Sequence, residues 1–119
     1  MLPKKQRLLA KEFQYLYKRG LKVKGKYGML LSAPNSSDHP RFGFVVSKKI
    51  GNSVKRHRMT RLLRNISMEA VREFKMENLG RSFQYIAFEF CNEYQILKDE
   101  YFQLLEKTLM NEKDNSLVN

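Results

Sequence analysis

A single cysteine, Cys91, is all the thiol this 119-residue sequence contains, so no internal disulfide framework is available and no cysteine metal site is suggested. Cys91 reads as a small apolar residue in a reducing compartment. Long apolar runs are also missing. None approaches the ~20 residues that span a bilayer, and the basic start from Met1 to Ala10 has no signal-type apolar region behind it. These absences predict a cytoplasmic protein with no membrane partner. Catalytic arrangements are missing too. His39 and His57 belong to different elements, and no carboxylate cluster resembles a two-metal site. No Ser-His-Asp or Cys-His pattern occurs, and Gly51-Asn52-Ser53 lacks the glycine spacing of a P-loop. No metal ligand and no catalytic side chain is therefore assigned. Glu69, Glu73 and Glu77, spaced i, i+4 on one helix face, read as a solvated row.

Negative charge is scarce in the front of the chain. Residues 1 to 68 hold 17 Lys or Arg against Glu12 and Asp38, whereas residues 69 to 119 hold 6 against 10 acids. No acid occurs between Asp38 and Glu69, the interval that contains RFGFVVSKKIGNSVKRHRMTRLLRN. A helix chosen only for solubility usually carries Glu or Asp four residues from its cations. A cationic surface without internal counterions points to nucleic acid as the partner.

The length predicts one RNA-binding domain over residues 1–119, with a polar tail frayed over 112–119. Leu9, Phe13, Leu16 and Tyr17 recur on one face of a first helix that Gly20 stops. Lys22 to Lys26 is extended or looping, and Tyr27 to Ala33 reads as a strand. Pro34 to Pro40 is a loop, and Arg41 to Ser47 alternates as a further strand, so the two strands are expected to form an antiparallel hairpin. Asn52 or Ser53 caps a second helix from about Val54 to Glu77. Met59, Leu62, Leu63, Ile66, Ala70 and Phe74 form its apolar arc, opposite His57, Arg58, Arg61, Arg64 and Arg72. Phe83 to Phe90 reads as an internal strand. A last helix from about Leu97 to Met110 is expected to bury Leu97, Tyr101, Leu104, Leu105 and Thr108. The pattern is α+β, a mixed β-sheet with helices packed on it in the order α-β-β(-β)-α-β-α.

Lys48, Lys49, Lys55, Arg56 and Arg58 gather at the start of the second helix, where free N–H groups and the helix dipole attract phosphate. Phe13 and Tyr17, one turn apart, stand beside a sheet whose open face could include Met29, Leu31, Phe42 or Phe44. Such aromatics on a basic platform can stack unpaired bases, although periodicity alone favours core packing.

SKKIGNSV followed by KRHRMTRLLR, with RFGF before it and an N-terminal Leu…Phe…Tyr-Lys-Arg-Gly helix, resembles the bacterial ribonuclease P protein family over most of residues 7 to 75. The resemblance implies a ribosomal-protein-S5-domain-2-like fold with a left-handed βαβ crossover, against the usual right-handed preference of ~98%. Arg41 to Ser47 would then pair in parallel with Phe83 to Phe90. It also implies a protein subunit that binds ribonuclease P RNA and the 5′ leader of precursor tRNA, the RNA and its Mg²⁺ performing the hydrolysis. On this resemblance Lys48, Lys49, Gly51, Asn52, Lys55, Arg56, His57, Arg58, Arg61 and Arg64 face the RNA subunit. Phe13, Tyr17, Met29, Leu31, Phe42 and Phe44 belong to the leader cleft. His57 stands where the motif usually has Asn, Thr60 where it has a basic residue, and Phe88-Glu89 where the strand often ends in one. A structural RNA-binding protein of ribosomal type would share the basic helix without the cleft, and a self-sufficient metal nuclease would depend on Glu69, Glu73 or Glu77.

Overall fold

Asn52 begins the element around which the fold is arranged. Its side-chain oxygen accepts the Lys55 N–H at 3.0 Å and so caps α2, Ser53–Glu73. In the computed structural model, which describes residues 3–118 with side chains through Met110, the remaining elements are α1 (Ala10–Arg19), β1 (Leu21–Lys24), β2 (Gly28–Pro34), β3 (Arg41–Val45), β4 (Arg81–Ala87) and α3 (Tyr94–Val118). One-turn 3-10 helices occupy Lys4–Gln6 and Lys48–Ile50. The order is the expected α+β one, with the optional strand present as β1.

The four strands form one mixed sheet in the order β1-β2-β4-β3. The expected hairpin between β2 and β3 does not form. β4 lies between them, antiparallel to β2 and parallel to β3, with Phe42 opposite Phe83. The reason is burial. Every residue of β4 except Ile86 is buried, so both of its edges need backbone partners and it takes the centre. Pro34 to Pro40 is also long for a hairpin turn, and it carries the chain past the width of that central strand. The parallel pairing of β3 with β4 across α2 is as anticipated.

Two cores lie on the two faces of the sheet. The larger packs α2 and α3 on one side through Leu30, Phe42, Met59, Leu63, Ile66, Phe83, Tyr85, Leu97, Tyr101 and Leu105, with Phe42 stacked on Phe83 at 5.4 Å between centroids. The smaller joins Leu8, Leu16, Leu31 and Ala33 beneath α1. All five residues expected inside α3 are buried. Its backbone begins at Tyr94 and runs on through 112–118, where a frayed tail was expected; the side chains of that stretch lie outside the described residues.

Several boundaries moved for local reasons. α2 stops at Glu73 because Lys75 adopts φ 53° and the Met76 N–H returns to the Val71 carbonyl at 2.8 Å, a closure that buries Met76. β4 begins at the polar pair Arg81-Ser82, which has buried partners: Arg81 Nε donates to Ser32 Oγ at 3.0 Å, and Ser82 Oγ donates to Glu12 at 2.7 Å. It ends where the Phe88 N–H turns to the Tyr27 carbonyl at 2.7 Å and its ring swings outward. α1 buries a narrower stripe than its periodicity predicted. Only Leu16 is fully enclosed, because Leu9 is the N-cap and Tyr17 points to solvent.

Glu12 anchors α1 to the sheet. It accepts from the Leu9 N–H at 3.0 Å, from Ser82 Oγ and from Arg41 Nη1 at 3.2 Å. Burial works to raise its pKa, yet the bonds from Leu9 and Ser82 and the Arg41 charge outweigh it and hold the carboxyl below the ordinary glutamate value. A depressed folded-state pKa means stability fully present above the unfolded value and lost as pH falls through the folded one. Glu12→Gln is therefore expected to lower the urea midpoint near neutrality and to narrow its difference from wild type in acid. Parallel midpoint curves for the two proteins would contradict this.

Candidate nucleic-acid interface

Ser47 to Asn52 delivers the chain from β3 to α2 through the Lys48–Ile50 turn, with Lys48 and Lys49 exposed and Ile50 buried as the pivot. Gly51 closes that corner at φ 154°, ψ −166°, a conformation essentially reserved for glycine. A Cβ there would also lie 2.9 Å from Lys55 Cδ. The corner thus places two lysines beside a capped helix whose first turn has no acidic residue.

Along α2, His57, Arg58 and Arg61 are exposed and Arg64 is half-buried. Among the described residues none of the four has a carboxylate partner. His57, Arg61, Arg64 and Asn65 line an open groove of about 490 Å³. Lys55 is exposed, its Nζ 5.5 Å from the Phe90 ring centroid, and Arg56 is half-buried with its Nε enclosed and, among the described residues, without a hydrogen-bond partner. Thr60 Oγ1 donates back to the Arg56 carbonyl at 2.8 Å, so at this position, noted in the sequence as a departure from the motif's basic residue, the helix offers a methyl and a satisfied hydroxyl.

A second groove, of about 330 Å³, runs between α1, β3 and α2, lined among others by Arg7, Phe13, Gly43, Phe44, Thr60 and Arg64. Phe13 lies across Gly43: a Cβ on that glycine would meet Phe13 Cζ at 2.4 Å. The glycine lets the ring settle onto the edge strand. Tyr17 is 59% exposed, with Lys22 Nζ 5.8 Å from its ring centroid. Met29 is half-buried next to Phe13 in the packing under α1.

One expected cleft residue does not reach the surface: Leu31 is fully enclosed under α1. Phe42, 1% exposed, belongs to the core on the α2–α3 side and also lines this groove. Alternation along a strand says which residues share a face, but not which face a helix will cover. Phe44 shares the Phe42 side, and only because β3 is an edge strand does it also line the groove. The sequence reading missed Arg7, Gly43 and Asn65. Arg7 bridges to Phe42 in parallel, and the Leu8 N–H donates to the Phe42 carbonyl at 3.0 Å, so the basic lead covers the β3 edge. Its only advance signal was its charge.

Among the described residues no three His, Cys, Asp or Glu side chains could share an ion. Glu69, expected in a solvated row, instead accepts from Tyr94 Oη and pairs with Lys98 Nζ at 2.8 Å, fastening α2 to α3. No described helix is long and apolar enough to cross a membrane.

A family model described as Ribonuclease P matches residues 2–109. The ribonuclease P protein component of Syntrophomonas wolfei is 37% identical over 70 residues, covering 58% of this chain and 59% of that protein. That of Bacillus pumilus is 40% identical over 68 residues, 56% of each chain. The chain thus spans under three fifths of the length of these curated relatives. The structure of a Staphylococcus aureus RNase P protein mutant with defective mRNA degradation activity superposes with TM-score 0.66 at 27% identity, covering 92% of this chain and 90% of that one. The Thermotoga maritima RNase P protein shares the fold at TM-score 0.58 and 24% identity, over 88% and 92% of the two chains.

Proposed function

Because this chain belongs to the ribonuclease P family, we propose that it is the protein subunit of a ribonucleoprotein endonuclease that removes 5′ leaders from precursor tRNA in the cytoplasm. The observation that carries this reading is the position of Arg64, which lines both the cationic groove on α2 and the aromatic groove beside Phe13. A single RNA path can therefore run from base-stacking surface to phosphate-binding surface without a break.

In this reading the exposed cations of α2 and the Lys48-Lys49 corner hold the RNA subunit through phosphate contacts, which fix register without reading sequence. Phe13, Tyr17 and Phe44 receive the unpaired leader, whose bases offer free faces to aromatic rings. Hydrolysis belongs to the RNA and its Mg²⁺. Of the protein's own carboxylates, Glu12 and Glu69 are engaged with Arg41 and Lys98, and among the described residues no three His, Cys, Asp or Glu side chains could share an ion. What the chain supplies is charge: a front half this cationic offsets the repulsion between two RNAs and lowers the Mg²⁺ needed to bring them together.

Reconstitution tests the reading. Added to a bacterial ribonuclease P RNA at low Mg²⁺, the protein is expected to stimulate 5′ processing; RNA binding without stimulation would instead assign it a purely structural RNA-binding role. Tyr17→Ala removes an exposed ring with little effect on the core. It is expected to weaken leader-bearing precursor about fivefold, the low end for one stacked base, and to leave mature tRNA unaffected. Equal losses for both substrates would remove Tyr17 from the leader path.

A further inference from the structure

We propose that the side of α1 away from Phe13 is a second subsite for single-stranded RNA, in which Tyr15 stacks on an unpaired base between phosphates held by Lys11 and Arg19. These three residues follow at i, i+4 and i+8, a single stripe about 12 Å long at 1.5 Å per residue. Two grooves, of about 520 and 260 Å³, flank it and meet at Tyr15 and Pro34. Lys11 lines the first and Arg19 the second. All three side chains are exposed, and the Tyr15 ring, 56% accessible, is among the most exposed large apolar groups of the described residues.

The electrostatics select the ligand. The one carboxylate lining these grooves, Glu12, is already committed to the Leu9 N–H, Ser82 and Arg41, so it neutralises neither Lys11 nor Arg19. A cation, an open ring and a second cation in line suit a strand that alternates phosphate with base. A duplex offers the phosphates but keeps its bases stacked on one another. Phe13 and Tyr15, two residues apart, project to roughly opposite sides of α1, so this path is separate from the leader cleft. The inference rests on the reading of this chain as an RNA-binding protein, but not on which RNA fills the cleft.

Anisotropy titration of the full-length protein with a short, labelled, mixed-sequence single-stranded RNA tests it. Tyr15→Ala is expected to weaken binding about fivefold or more, Tyr15→Phe to bind like wild type, and Lys11→Ala with Arg19→Ala to reduce the salt slope by about 1.4. Wild-type affinity in Tyr15→Ala, or equal competition by a duplex of the same sequence, would overturn the proposal. The Tyr15→Ala loss must also persist in fold when Arg61 and Arg64 are alanine; its disappearance in that background would mean the stripe is no subsite of its own. Absence of stimulation in the reconstitution assay, with the Tyr15→Ala loss intact, would count against the subunit reading alone.

Discussion

Replacing Arg61 and Arg64 together by alanine is expected to weaken binding of the RNA subunit on the order of 100-fold, about tenfold for each charge-assisted phosphate contact. Both cations line the α2 groove and neither has an acidic partner among the described residues, so the free protein holds them ready and no internal ion pair must break on binding. The same variant should bind with a salt slope lower by about 1.4 to 1.8, because two fewer counterions are released from the RNA. Arg61 is exposed and Arg64 half-buried, while the helix is held by Met59, Leu63, Ile66 and Ala70 on its other side, so the fold should survive. Filter binding across a salt series measures both quantities. A double variant with the wild-type slope would show these arginines to be solvated bystanders.

The second large effect belongs to stability. Glu100→Ala is expected to destabilise the protein by about 3 kcal/mol, a fall in Tm on the order of 10 °C. Glu100 is the point at which α3 holds the β1–β2 turn. Its Oε2 accepts the Lys26 and Tyr27 amides, each at 2.9 Å, and its Oε1 accepts the hydroxyl of buried Tyr85 at 3.2 Å. Burial, together with the Glu100 charge, pushes the Tyr85 pKa well above the ordinary value, which favours the phenol as the donor in this bond. Alanine removes the acceptor from all three groups at once, whereas Glu100→Gln keeps one acceptor oxygen and should fall between. Scanning calorimetry of the two variants checks the order, and equal Tm values for wild type and Glu100→Ala would refute it.

Charge and periodicity made the cationic face of α2 and the interior of α3 readable. The α2 cations were visible because no acid interrupts Asp38 to Glu69, and the interior of α3 because five apolar or hydroxyl positions repeat at helical spacing. Strand neighbours were not readable in the same way. Arg41 to Val45 alternates whether its partner is β2 or β4, and only the two-sided burial of β4 decides between them. Leu31 was misplaced because alternation does not say which face of β2 a helix covers, and α1 covers the Leu31 side. Glu69 was read as a solvated acid because a tertiary acceptor role leaves no local pattern.

The central position of β4 also has a consequence for the order in which the molecule can assemble. Arg41 must find Ser82, so the β3 edge gains no sheet partner until the chain through Ala87 is available, a non-local step of the kind that slows folding. α2 can form by local contacts alone. A nascent chain would therefore display its cationic helix before the aromatic cleft exists, with the edges of β2 and β3 still unpaired and open to misassembly.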